Sequence, residues 1–335
     1  MRAVYDTGGQ ATRTCLQLAL GAVNDMDRLS NVLVCPRCRT RLGLKGAALV
    51  CEACASSYTA GTEGFLDFGS SAGGARESSP RLQEYAAHQE GSGERRYLEY
   101  LRPWIRSEPT SRILDVGCGV GTIAELMAAD GLEAFGVDLP KAARFWADLG
   151  RDPERFFTAD AEALPFEDGF FDAVTCIGVI EHVGTVTGHC TLSHGFEHAR
   201  VAFVRELVRL VRPGGRILVA CPNKSFPIDF HHGPGDALSG PGRARSAVAR
   251  RTGLNVHKTW GSYHLPSYGE LHRWFRGAGA KSVRPLLSKG FFSFDGLKGR
   301  VPVPAASLVK LYVERLPGVL RGTALDPFVL AEVRR

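Results

Sequence analysis

Three groups of residues in this sequence have types and spacings that could do chemistry. In the first, the run Ile113-Leu114-Asp115-Val116-Gly117-Cys118-Gly119-Val120-Gly121-Thr122 reads as a strand turning through glycines into a helix. A side chain at Gly117 or Gly119 would keep a ligand away from the backbone there. Asp138 ends the next strand, where its carboxylate can accept hydrogen bonds from both hydroxyls of a ribose. An adenosine-containing cofactor is the expectation. The spacing G-x-G-x-G puts Thr122 where a dinucleotide fingerprint has its last glycine, which weakens a pyrophosphate reading. No Gly-Lys-Ser/Thr comes after it to form a phosphate-binding loop.

The second group is Cys35, Cys38, Cys51 and Cys54, spaced C-x2-C-x12-C-x2-C, as four thiolates on two turns would be around one tetrahedral Zn2+. With every position filled by protein, such an ion is structural. The chain has nine cysteines, and the odd count with this paired spacing argues for metal ligands rather than a disulfide framework. A reducing, cytoplasmic setting is expected. The third group is histidine, whose ordinary pKa near 6.5 suits general-base work at neutral pH. His182 comes directly after Glu181, beyond one strand, and His231-His232 come shortly after Asp229, beyond another. His189, His194 and His198 fall between them.

These residues need a scaffold. From residue 112 to 221, β and α patterns alternate: strands at 113–116, 134–137, 156–159, 171–177 and 217–221, with helices at 122–129, 141–148 and 200–211. Such alternation predicts a parallel α/β sheet. Helical spacing also covers 81–90, 94–105 and 267–277, and 327–333 has a strand pattern. Residues 31–68 form a compact block, expected as two hairpins sharing the metal. Residues 69–80 (GSSAGGARESSP) are a flexible linker by composition, and 1–30 carry no assigned structure. Residues 81–335 then make the second domain. Its segment 223–326 is expected to cover the site, with Leu271, Phe275 and residues 301–316 as an apolar lid or wall. At 335 residues, 44% hydrophobic and 23% charged, the chain has room for about two ordinary domains, and wholesale disorder is excluded. No apolar run is long enough to span a bilayer. The net charge of +6 permits an anionic partner without demanding one.

With its glycine turn, the chain resembles the class I methyltransferases that use S-adenosylmethionine. After that turn come Gly136-Val137-Asp138-Leu139, then Ala159-Asp160-Ala161-Glu162-Ala163-Leu164-Pro165-Phe166, then Phe171-Asp172-Ala173-Val174 running to Ile180-Glu181-His182-Val183, and last Leu210-Val211-Arg212-Pro213-Gly214-Gly215-Arg216. The resemblance covers roughly residues 112–223. It implies a Rossmann-like α/β fold, mostly parallel with an antiparallel last strand, preceded here by a small zinc ribbon. It also implies that Gly117 and Gly119 lie against the methionine part, Asp138 holds the ribose, and Asp160 with the Ala161 backbone receives the adenine; Asp115, Gly121, Leu139 and Ile177 complete the cofactor set.

The residues after the fourth strand narrow the substrate. Ile177-Gly178-Val179-Ile180 stands where methyltransferases of exocyclic base amines show Asn/Asp-Pro-Pro-aromatic. Cys176, with no Pro before it, reads as a buried strand residue rather than the nucleophile of a cytosine carbon methyltransferase. In some quinone-type O-methyltransferases a Glu-His pair and an earlier Glu bind a divalent ion. The earlier place here is Gly178, so a catalytic metal is not expected. The expected function is methylation of a small molecule in specialised metabolism, most simply at a hydroxyl, with His182, His231 or His232 as base. A ribbon ahead of such a domain is also similar to the ribosomal guanine-N1 methyltransferases, which tend to end the ribbon with a histidine where this chain has Cys54. That keeps an RNA alternative, with Arg243, Arg245, Arg250 and Arg251 as phosphate contacts. A cofactor-binding scaffold without catalysis is the other alternative, and the oligomeric state is left open.

Overall fold

The computed structural model describes residues 32–69, 80–186, 191–232, 242–292 and 303–335. The N-terminal segment 1–31, linker residues 70–79, His189, Cys190 and residues 301–302 of the expected lid lie outside the described residues.

Five parallel strands make the centre: β5 (Arg112–Val116), β6 (Glu133–Asp138), β7 (Phe156–Thr158), β8 (Phe171–Ile177) and β9 (Val211–Pro222). With β12 (Ser282–Pro285) and β13 (Phe328–Arg334) the order is β7-β6-β5-β8-β9-β13-β12, and β13 runs antiparallel to both its neighbours. The mostly parallel sheet with an antiparallel last strand is therefore present. Both faces are covered, so the central strands are nearly continuous apolar runs. Their side chains alternate between two cores: Leu114, Val116, Phe135, Val137, Val174 and Cys176 pack on one face, and Ile113, Ala134, Ala173, Leu218 and Ala220 on the other.

Helices α3 (Thr122–Ala129), α4 (Ala143–Asp148) and α5 (Phe196–Leu210) fill the crossovers. Ahead of the sheet, α1 (Pro80–Arg96) continues through one π-helical turn (Tyr97–Leu101) into α2 (Arg102–Arg106). The two expected helices are thus one path. Gly93 sits inside it where α1 crosses α3, and a Cβ there would stand 3.4 Å from the Thr122 Cβ, so the close crossing uses the glycine that looked like a break.

Residues 32–69 form a meander of β1 (Leu42–Lys45), β2 (Ala48–Cys51) and β3 (Ser57–Ala60), leading into β4 (Leu66–Asp67). β4 pairs in parallel with β7 through Asp67 and Thr158, which lengthens the sheet to eleven strands. Leu33, Leu42, Leu49, Tyr58 and Phe68 share one apolar core with Phe157 and Phe166 of the α/β unit. The four-cysteine block is packed on the sheet, not merely tethered to it.

The C-terminal region adds the β10 (Ile228–Asp229) and β11 (Asn255–Val256) pair, α6 (Arg243–Thr252), α7 (Tyr268–Gly277) and α8 (Val303–Arg315). Ser267 caps α7, accepting from the Glu270 N–H while the Glu270 carboxylate accepts from the Ser267 N–H. Leu271 and Phe275 are not lid residues: both are fully buried in the core that also holds Phe203 and Leu207 of α5, because the apolar face of α7 packs against α5 and β12. On α8, Val313 is buried beside Phe291 and Phe292, while Leu308, Leu311 and Tyr312 are exposed. No helix among the described residues is long and apolar enough to cross a membrane.

Candidate functional site

The predicted cofactor residues converge on the carboxyl-terminal edge of the parallel strands. Gly117, Gly119 and Gly121 all have positive φ (72°, 56° and 81°), a backbone that glycine adopts without strain. They do different work. A Cβ on Gly117 would stand 2.1 Å from Val179 Cγ2, and one on Gly121 2.6 Å from the Phe156 ring, so these two permit packing within the chain. Gly119 alone opens onto space, with nothing within 4 Å of a Cβ. The turn is pinned from both sides: Trp146 Nε1 donates to Gly119 O at 2.7 Å, and Gly119 N donates to Asp138 Oδ2 at 2.7 Å. The other Asp138 oxygen accepts from Leu139 N, so each oxygen is oriented and keeps a lone pair for a ribose hydroxyl. Burial pushes the Asp138 carboxyl up, and these two N–H groups oppose it. Asp160 and Ala161 lie just beyond β7, Asp160 Oδ1 accepting from Glu162 N. Ile177 ends β8, half-buried against the second core.

Asp115 lies beneath this turn. Burial raises its carboxyl to about 7, opposed by the Thr175 hydroxyl, which donates to Oδ1 at 2.6 Å, and by the charge of Arg96. Arg96, on α1, is a residue that sequence reasoning missed. Its own pKa is held down to about 10 by burial and by neighbouring Arg95, while Asp115 pulls it up. Its guanidinium, from outside the alternating β/α region, donates to Phe291 O at 3.2 Å and stands 5.2 Å from the Phe291 ring centroid.

The histidines meet nearby. After β8, the half-buried His182 stands next to Glu181; after β9, Asp229 Oδ2 lies 2.7 Å from His232 Nδ1, and Asp229 Oδ1 accepts from the backbone N–H groups of His231 and His232. These contacts hold the Asp229 carboxylate down to about 2 against the effect of burial. The His182 and His232 rings meet edge to face at 5.2 Å, and Glu181, His182 and His232 bring three ligand atoms within 4.8 Å of one another. Asp229, His232 and His264 make a second such group. Glu181 is 1% exposed, and neither of its carboxylate oxygens has a hydrogen-bond partner, so burial drives it up to about 7. His264, with no exposure, has neither ring nitrogen bonded and is pushed down to about 3, chiefly by burial. His231 is exposed, with its ring 5.7 Å from that of Phe328. Phe226, Phe230, Phe292 and Phe328 form an aromatic chain alongside. Arg200 of α5 joins the two loops, donating to the carbonyls of Glu181 (3.2 Å), Val183 (3.1 Å) and His264 (2.6 Å).

Sequence reading met Glu181 only as half of a Glu-His pair and did not find His264, since an orphaned buried group shows itself only once its neighbours are placed. A cleft of about 460 Å³ lined by His194, Phe196, His198 and Arg205 opens at the start of α5, and His198 bears electrostatically on Glu162 of the Asp160 loop.

The four predicted cysteines also converge. Thiolates about 2.3 Å from one Zn2+ would stand roughly 3.8 Å apart at tetrahedral corners. Cys35 and Cys54 sulfurs are 3.6 Å apart, Cys38 and Cys51 sulfurs 3.3 Å, and all four lie within 4.8 Å of one another. The two turns repeat one hydrogen-bond pattern: Arg39 N to Cys35 O and Cys35 N to Thr40 O in one, Ala55 N to Cys51 O and Cys51 N to Ser56 O in the other. In each turn the residue after the second cysteine, Arg39 or Ala55, has positive φ. The donor set and its geometry fit a structural zinc.

Residues 114–219 match the family described as methyltransferase domain. A ubiquinone biosynthesis O-methyltransferase of Xanthomonas axonopodis pv. citri is 31% identical over 188 residues, 54% of this chain and 67% of that protein. A demethylmenaquinone methyltransferase of Beutenbergia cavernae is 32% identical over 116 residues, 35% of this chain and 42% of its own length. Beyond the Xanthomonas axonopodis protein, the chain spans about half the length of the curated relatives it matches. Among solved structures, a SAM-dependent methyltransferase from Archaeoglobus fulgidus aligns over 76% of this chain and 99% of its own, at 16% identity and a TM-score of 0.42.

Proposed function

From the premise that this chain belongs to the S-adenosylmethionine-dependent methyltransferases, we propose that it methylates a hydroxyl of a small aromatic molecule, with His232 taking the hydroxyl proton. The observation that carries this is the Asp229–His232 pair, held at 2.7 Å and facing Glu181 and His182 at the strand edge that bears the cofactor residues. The relatives are named for quinone biosynthesis, and the aromatic chain Phe226, Phe230, Phe328 and Phe292 suits a ring of that kind. A quinone-pathway acceptor therefore replaces the specialised metabolism expected from sequence.

When bound, S-adenosylmethionine supplies a methyl group on a sulfonium, already a good leaving group. The protein's part is placement and proton removal. Asp138 takes the ribose hydroxyls, Asp160 and the Ala161 backbone take the adenine, and Gly119 leaves room for the methionine part. Arg96, near enough to Asp115 to act on its charge, suits the cofactor's carboxylate. As the acceptor oxygen bonds to the methyl carbon and the carbon–sulfur bond breaks, His232 receives the hydroxyl proton. Asp229, ionised and bonded to its Nδ1, stabilises the resulting imidazolium.

A second reading is favoured by the unpartnered oxygens of Glu181: with His182 and His232 it would hold a divalent cation that orients and acidifies the acceptor hydroxyl. The ribbon cysteines would hold structural Zn2+. The RNA alternative gains no support, since Arg243, Arg250 and Arg251 are simply exposed along α6. The scaffold alternative falls with membership of an enzyme family.

The test is single-turnover methylation of hydroxylated quinone precursors by His232→Gln and Asp229→Asn. We expect His232→Gln to lose about 10²- to 10⁴-fold in rate, with cofactor affinity within about threefold of wild type. A loss below about tenfold would remove His232 as the base. Rate restored or abolished by Mg2+ or a chelator decides whether the cation reading adds to it.

A further inference from the structure

We propose that Arg39, on the first cysteine turn, is a positioning residue for cofactor binding, so that metal loading of the ribbon and S-adenosylmethionine binding strengthen one another. This rests on the proposed roles of the four cysteines and of Asp160–Ala161.

The loop from Asp160 to Phe166 is held by the ribbon at both ends. On the approach, Thr158 Oγ1 donates to Asp67 Oδ1 at 2.8 Å and Phe68 N to Thr158 O at 2.8 Å. On the return, Val34 N donates to Pro165 O at 2.9 Å, Leu33 bridges Phe166, and Arg39 Nη1 donates to Leu164 O at 2.7 Å. Arg39 also reaches the 6%-exposed carboxylate of Glu206 on α5, Nη2 to Oε1 at 2.7 Å, and the other Glu206 oxygen accepts from Leu164 N at 3.0 Å. One guanidinium therefore fixes the loop both directly and through Glu206. Arg209 supports the same two groups but comes from α5 itself, and does not depend on the ribbon.

The place of Arg39 is set by the turn that precedes it. It comes directly after Cys38, holds φ at 64°, and its N–H donates to Cys35 O at 2.8 Å. A metal on Cys35 and Cys38 would keep that turn closed. Without one, the turn keeps its backbone hydrogen bonds, Arg39 N to Cys35 O and Cys35 N to Thr40 O, but only weak sulfur contacts tie it to the second cysteine turn, so the guanidinium is less firmly anchored and its bonds to Leu164 and Glu206 weaken. The adenine loop is then held mainly from the α5 side, and a cofactor must supply the missing order when it binds. Linkage makes this reciprocal: whatever factor the metal adds to cofactor affinity, the cofactor adds to metal affinity.

The experiment uses the full chain and measures three things: zinc content, the dissociation constant for S-adenosylhomocysteine by calorimetry, and the equilibrium affinity for Zn2+ by chelator competition. We expect one zinc per chain in wild type, and cofactor-product binding weakened about fivefold or more after chelation. The same saturating product should tighten zinc by a matching factor. Arg39→Ala should keep its zinc and its folded circular dichroism yet bind the product about as weakly as the chelated protein. Its KM for S-adenosylmethionine should rise with kcat nearly unchanged, because the acceptor side is untouched. Arg37→Ala, on the same turn but exposed and, among the described residues, bonded within the ribbon to Ser56, should match wild type. Zinc and product that bind independently in wild type, or a zinc-loaded Arg39→Ala with wild-type affinity, would overturn the coupling alone. Wild type without zinc would overturn the ribbon reading, and wild type that binds no product would overturn the cofactor site; either removes the proposal.

Discussion

Asp115 is a buried carboxyl that a cationic cofactor bound at the glycine turn would draw toward its ionised form. Buried beneath the glycine turn, it sits at about 7 in the free protein, well above the ordinary value for aspartate of about 3.9. The positively charged ammonium and sulfonium groups of S-adenosylmethionine favour its ionised form, so binding below pH 7 has to release its proton. We expect the affinity to fall by up to about tenfold for each pH unit below 7, and Asp115→Asn to flatten that slope; calorimetry between pH 5.5 and 8 measures it. Stability of the free protein runs the other way. A folded-state pKa above the unfolded one contributes stability that is full at low pH and is lost as pH rises through 7. Asp115 and the glycines were legible because they belong to one short contiguous run. Glu181 was visible only as half of a Glu-His pair. Its orphaned carboxylate depends on Asp229, His232 and Arg200, which lie elsewhere in the sequence.

α5 is the element that ties the loops of Glu181 and His264 together, through the fully buried Arg200 and its bonds to the Glu181, Val183 and His264 carbonyls. Arg200→Met keeps most of the volume and leaves those carbonyls unpaired. We expect a loss of about 2 to 3 kcal/mol in urea unfolding, and a fall in methylation larger than any fall in cofactor affinity, since the Glu181 loop is no longer tied to His264, whose ring meets that of His232. Wild-type stability with unchanged turnover would show that the loops hold without it. Sequence periodicity found β5, β6, β8 and β9 because they are two-face apolar runs. It missed β12, whose Ser282-Val283-Arg284-Pro285 buries only Val283 at the outer edge of the sheet. It divided the α1–α2 path at Gly91–Gly93, where close packing on α3 overrides glycine's weak helix propensity.

The molecule as a whole joins the four-cysteine block and the α/β unit through one core, so the two should unfold together. Calorimetry is expected to give a single transition that moves down as zinc is removed; a small separate ribbon transition, with the main one unmoved, would contradict the shared core. Each half was legible from its own motifs. Their docking was not, because Arg39 and Leu164 are 125 residues apart and nothing local announces the contact. The parallel pairing of β4 on β7 matters during synthesis as well. An α/β sheet that ended at β7 would present Phe156-Phe157-Thr158 with one row of amides and carbonyls unpaired, an edge onto which a second copy could add. The opposite border is blunted by Arg284 and Pro285, but β7 has no such guard of its own. Asp67 precedes Thr158 by 91 residues, so the ribosome delivers the cover before the edge it covers. When β7 emerges, its neighbour on that side is already waiting on the same chain, and the interval in which nascent copies could join edge to edge is closed.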